Sequence, residues 1–169
     1  MNVTLPVSAF DPIFAKHPGI CQRSETIECL LQELNSLDGV VVDAEEQSSH
    51  VVIELMKLLK LVVVPISLSL KACGLTDEHM ISVGELMRAN CSVTMISLVA
   101  NNIGVGGVTS VVSAFDSCPA LRGVSVTGNS QVGMKGVETL LEGVRRHGGI
   151  TSVGVGGTGL QGAVLLHWI

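Results

Sequence analysis

The chain has 169 residues, a formal net charge of −5 and 47% apolar residues, yet only 2% aromatic residues and no tyrosine. That length suits one domain with a sizeable core, which must be assembled from Leu, Val, Ile and Met side chains of similar bulk. The ten Lys and Arg are scattered, and the aromatics total three Phe and one Trp. Charge and composition therefore disfavour nucleic-acid binding, which needs a basic stripe and stacking platforms.

Mean hydropathy is +0.53, so membrane insertion has to be weighed. Residues 51–70 are apolar but carry Glu54, Lys57 and Lys60 and are closed by Pro65. The uncharged run from Ala89 is broken by Asn101, Asn102 and several glycines. Neither supplies the roughly 20 continuous apolar residues of a spanning helix, and no membrane span is expected. Cys21, Cys29, Cys73, Cys91 and Cys118 form no C-x-x-C pair and are odd in number. The N-terminus also lacks a charged segment followed by an apolar one. Reduced thiols and an intracellular location, cytoplasmic or cytoskeletal, are expected, with an organelle matrix left open.

In chain order, residues 1–23 contain Pro6, Pro12 and Pro18 and read as an extended arm. Residues 24–36 read as a capping helix with Ile27, Leu30, Leu31 and Leu34 on one face. From residue 37 a pattern recurs: apolar, two free, apolar, one free, apolar, two free, then Asn or Cys, one free, apolar. Its first and weakest copy is Leu37, Val40, Val42 and Glu45, followed by helical spacing at Val52, Leu55, Met56 and Leu59. The second is Pro65, Leu68, Leu70, Cys73 and Leu75, with Thr76 and Asp77 as cap residues before Met80, Val83 and Met87. The third, Val93, Ile96, Leu98, Asn101 and Ile103, is the clearest, and Val108, Val111, Val112 and Phe115 follow it. Leu121, Val124, Val126 and Asn129 make the fourth, with Val137, Leu140, Leu141 and Val144 after them. Ile150, Val153, Val155, Thr158 and Leu160 make the fifth. Strand, turn and helix thus alternate about every 28 residues through residues 37–169, in about five repeats with the first and last irregular.

The string LSLKACGLTDEHMISVGELMRANCSVTMISLVANNIGVGGV, residues 68–108, resembles the leucine-rich repeats of the ribonuclease-inhibitor type. The resemblance implies an α/β leucine-rich-repeat solenoid, a right-handed β-α superhelix with parallel strands on the concave face and helices on the convex face. It also implies a turn ladder in which Cys73, Asn101, Asn129 and Thr158 bond buried backbone, with Glu45 departing from the pattern. The family further implies a protein partner: nuclease inhibition, regulation of a GTPase, filament-end capping, or service in ciliary and organellar complexes. Few repeats and few aromatics speak against the first, and the missing acidic tail against the second.

Chemistry-bearing residues are sparse. Gly154, Gly156 and Gly159 spell G-x-G-x-x-G after an expected strand, but they lie within the fifth repeat with no acidic residue about 20 positions on. Turn glycines are the favoured reading, and a nucleotide-binding accessory role is the lesser alternative. His17, His50, His79, His147 and His167 have no metal spacing. No catalytic set, cofactor, metal or small-molecule substrate is expected.

The informative surface is the concave face. Its free positions stack in three columns: Gly39, Ser67, Met95, Gly123 and Ser152; Val41, Ser69, Ser97, Ser125 and Gly154; Asp43, Lys71, Val99, Thr127 and Gly156. Ser67, Ser69, Lys71, Met95, Ser97, Val99, Ser125 and Thr127 are the candidate partner contacts. Val164, Leu165, Leu166, Trp168 and Ile169 form a second candidate, an open-end contact. Either that tail folds back as a cap or another chain completes the last layer. The expectation is a non-catalytic protein-interaction scaffold, a structural subunit of a larger intracellular assembly.

Overall fold

The structure is a computed structural model, and it describes residues 7–16, 24 and 26–160. The chain is a mixed α/β fold with one five-stranded parallel sheet in the order β1-β2-β3-β4-β5. The strands are β1 Val40–Asp43, β2 Ile66–Ser69, β3 Val93–Ser97, β4 Gly123–Ser125 and β5 Ser152–Gly154. Helix α1, Ile27–Asn35, precedes the sheet. The connections carry α2 Ser49–Leu59, α3 Asp77–Ala89, α4 Val105–Val112 and α5 Gly133–His147. Parallel neighbours require such crossovers, because the chain must return to the same end of the sheet before each new strand. Consecutive helices α2 to α5 pack on one another in the same order as their strands.

One side of the sheet is buried against the helices. Val40 and Val42, Ile66 and Leu68, Ile96 and Val124 are all 2% exposed or less. Residues between them point to the opposite, open side, as a period of two demands. The helices stop and start where local chemistry directs. Thr26 Oγ1 accepts from Cys29 N at 3.2 Å, and Ser48 Oγ accepts from Val51 N at 3.4 Å. At α3, Thr76 N donates to His79 Nδ1 at 3.1 Å within a capping box. At its far end α5 carries Arg145, Arg146 and His147, which suit the negative end of the helix dipole, and Gly148 closes it at φ 69°.

Two expectations need correction. Residues 7–16 are not extended: Val7–Phe10 is a 3-10 helix followed by turns. Phe10, Ile13 and Phe14 are buried in the core, and Asp43 N donates to Ile13 O at 3.0 Å. Pro12 fixes a φ that a tight turn uses as readily as an extended chain. The apolar residues around it then cover the first layer of the sheet.

The second correction is the register of β1. Val41 pairs with Ser67 and Asp43 with Ser69, whereas 28-residue spacing placed Gly39 beside Ser67 and Val41 beside Ser69. A slip of two residues keeps every side chain on its own face, so apolar alternation cannot detect it. The left-handed turn position is consequently Glu46, φ 58°, in step with Ala72 and Ala100, each φ 55°, and with Gly128, φ 77°. Each of these donates its N–H to the neighbouring strand's turn, for example Glu46 N to Lys71 O at 2.9 Å and Ala100 N to Thr127 O at 2.8 Å. Gln47, not Glu45, therefore stands where Cys73 and Asn101 stand in the next two units.

Candidate interaction face

The open side of the sheet is held in place by side chains beneath its ends. Asn101 Oδ1 accepts from Cys73 N at 2.9 Å and Leu75 N at 3.0 Å. Its Nδ2 donates to Leu70 O at 2.8 Å and Leu98 O at 3.0 Å, so one amide bridges two units. Asn129 repeats this, accepting from Ile103 N at 3.1 Å and donating to Leu98 O and Val126 O, both at 2.9 Å. Cys73 Sγ donates to Ala44 O at 2.8 Å. Thr158 Oγ1 has a single proton and gives it to Val155 O at 2.8 Å, within its own unit. An Asn amide has two N–H donors beside its acceptor and can bond two units at once, whereas Thr158 spends its one proton within its own unit.

A second ladder lies at the helix-to-strand turns, and the sequence reading missed it. Asn90 Nδ2 donates to Leu59 O at 2.9 Å and also to Val62 O, while its Oδ1 accepts from Ser92 N at 2.9 Å. Twenty-eight residues on, Cys118 Sγ donates to Met87 O at 3.0 Å. His147 Nε2 then donates to Cys118 O at 3.0 Å, and its Nδ1 accepts from Gly149 N at 3.1 Å. This geometry requires a proton on Nε2 and none on Nδ1. The signal was available, since Asn90, Cys118 and His147 recur at the repeat spacing just before each strand.

Between these ladders the strands present Val41 and Asp43, then Ser67 and Ser69, Met95 and Ser97, Gly123 and Ser125, Ser152 and Gly154 in register. Met95 lies over Gly123, and Ser125 over Gly154, where a Cβ would collide with either side chain. Val41 and Met95 are among the exposed large hydrophobics. Lys71, at the β2 end of the face, is paired with Glu45. Hydrogen bonding and charge from Glu45, with further charge from Glu46 and Asp43, hold its ammonium above the usual lysine range. Val99 and Thr127 continue toward the other edge, Thr127 accepting from Ser125 Oγ at 3.1 Å. The structure thus brings Ser67, Ser69, Met95, Ser97 and Ser125 into register across neighbouring strands, and places Lys71, Val99 and Thr127 in the turns just after β2, β3 and β4. The open-end candidates, Val164, Leu165, Leu166, Trp168 and Ile169, lie outside the described residues.

Other candidate chemistry is dispersed. Gly154 ends β5, and Gly157 and Gly159 have φ 63° and 79° in the turn after it. Among the described residues no group of three or more His, Cys, Asp and Glu could hold a metal ion. No helix among them is long and apolar enough to cross a membrane. A shallow recess at the strand-to-helix turns is lined by Thr76, Asp77, Glu78, Asn102 and Gln131. Within it Asp77 Oδ1 is committed to structure, accepting from Gly104 N at 2.6 Å at the start of α4. Burial pushes the thiols of Cys73 and Cys118 up to about 11. Because the thiolate is the nucleophile, a shift from 9.0 to about 11 leaves about a hundredfold less of it at pH 8. Alkylation of the native protein at pH 8 should therefore label exposed Cys29 and Cys91 and spare Cys73 and Cys118. Mass-spectrometric mapping checks this, and equal labelling of all four would refute the burial assignment.

No protein-family model matches the chain, and no curated protein does. Solved structures do. The C-terminal domain of tropomodulin from Caenorhabditis elegans superposes with a TM-score of 0.66, covering 84% of this chain and 87% of that one, at 12% identity. Actin-binding site 2 of leiomodin-1 superposes at 0.61, covering 73% and 75%, at 13% identity. At such identity the likeness concerns the fold. It corrects the resemblance to ribonuclease-inhibitor-type leucine-rich repeats: the structural neighbours are tropomodulin and leiomodin domains. The residues that carried the earlier resemblance, Asn101 and the apolar strand positions, report how one layer bonds to the next. Any chain stacking such layers needs them, so they do not identify a family.

Proposed function

We propose that this chain is a non-catalytic protein-interaction module of the cytoskeleton, with actin as the first partner to test. The observation that carries the reading is the superposition on a domain named as an actin-binding site. The site's own chemistry agrees. Its open face offers hydroxyls, glycines and two exposed apolar side chains, which suit packing against a protein surface and activate no nucleophile. In this reading the strand–helix units of residues 37–160 wind as a solenoid with the sheet on the inner side. Residues 24–36 cap its first layer, and the chain serves as a subunit of a larger assembly. No cofactor and no small-molecule substrate takes part.

Cosedimentation with filamentous actin tests the proposal. The expected result is saturable recovery of the chain in the filament pellet with a micromolar dissociation constant, about −8 kcal/mol. Recovery no greater than that of an unrelated protein of equal charge would overturn actin as the partner.

A further inference from the structure

The open face is uneven in a way that specifies its occupant. Val41 and Met95 are 42% and 38% exposed, and the strand between them presents Ser67. Two strand spacings, about 9.6 Å, separate the backbone positions of Val41 and Met95, and the Met95 thioether leans on toward Gly123. Ser67 therefore floors a notch with an apolar wall on each side. Toward β5 the face continues through Ser97, Ser125, Gly154 and Gly156, all small and uncharged. Toward β1 three carboxylates, Asp43, Glu45 and Glu46, surround the single ammonium of Lys71. The face is acidic at one end and neutral at the other.

We infer that this face takes an amphipathic helix of a partner protein, laid across the strands, with an apolar side chain over Ser67 and a basic end above β1. The inference rests on the open face being the working surface proposed above. A helix is the form that fits. The strands below already bond one another, so a docked segment finds no backbone partners on this face and must satisfy its own. Side chains at i and i+7 of a helix are about 10.5 Å apart, close to the backbone span from Val41 to Met95. The intermediate residue of that ridge then drops between them. Four strand spacings make about 19 Å, the length of roughly 13 helical residues. Small residues toward β5 allow the helix backbone to approach closely. A Lys or Arg at its β1 end meets Asp43 and the carboxylates that Lys71 leaves in excess.

The test uses two synthetic helical peptides of 14 residues sharing one Leu/Ala ridge, with three Lys at one end or three Glu at the same end. Titration into the full chain, followed by methyl spectra, should shift the Val41 and Met95 methyls. The Lys peptide should bind at least about threefold more tightly at low salt, and the preference should fade as salt screens it. Asp43→Lys should reverse the preference, and Met95→Ser should weaken both peptides while leaving the thermal melt unchanged. Equal affinity for the two peptides, or shifts away from these methyls, overturns the inference. Actin cosedimentation of the same protein reads the cytoskeletal proposal separately, so either can fail alone.

Discussion

Phe115→Ala is expected to lower stability by about 3–5 kcal/mol. Phe115 is fully buried, in the 3-10 turn Phe115–Ser117 between α4 and β4. Its ring meets the His147 imidazole edge-on, with centroids 6.3 Å apart, and it also lies against Gly143 of α5. The chain has only three Phe and one Trp, so the neighbours are Leu, Val and Met side chains too small to replace the ring without moving their backbone. Truncation leaves a cavity walled by rigid helices and by the second ladder, which limits collapse. Urea unfolding of wild type and variant gives the difference directly. A loss below about 1 kcal/mol would mean that the 3-10 turn is not the anchor of this layer.

Asn101→Ala comes next, at about 3–4 kcal/mol. The substitution leaves two buried donors, Cys73 N and Leu75 N, and the acceptors Leu70 O and Leu98 O without their partner. Each orphaned buried group costs about 1–3 kcal/mol, and partial entry of water offsets some of that. Thr158→Ala removes one bond within its own unit and should cost about 1 kcal/mol. The ordering of the two is the sharper check. Equal losses at Asn101 and Thr158 would show that bridging between units contributes nothing.

The legible part of the fold was the part written by period. Ile96, Leu98 and Asn101 recur closely enough at Leu68, Leu70 and Cys73 to place β2, β3 and the turn after each. Register at β1 was not legible, because a two-residue slip leaves Val40 and Val42 facing inward either way. That register is held by Val40 N to Pro65 O, Ala44 N to Ser69 O and Glu46 N to Lys71 O, backbone bonds that carry no side-chain pattern. The turn at Val7–Phe10 was hidden by three prolines that suit extended and turned backbone alike. The ladder through Asn90, Cys118 and His147 had the right spacing, but three different residue types performing one task conceal it. The candidate face was visible as columns of small residues. Its notch was not, since that depends on the β1 register, which stands Val41 rather than Gly39 beside Ser67.

In the proposed function the open side of the sheet, and not the helical side, meets a cytoskeletal protein. Cosedimentation of three proteins with filamentous actin tests it most directly: wild type, Ser97→Arg at the middle of the open face, and Ile81→Arg on the outer surface of α3. Both changes fall on residues outside the core, so folding should be retained in each, as thermal melting can verify. The expected result is at least a tenfold loss of affinity for Ser97→Arg, about 1.4 kcal/mol, and wild-type affinity for Ile81→Arg. Undiminished binding by Ser97→Arg, or a loss confined to Ile81→Arg, would contradict it.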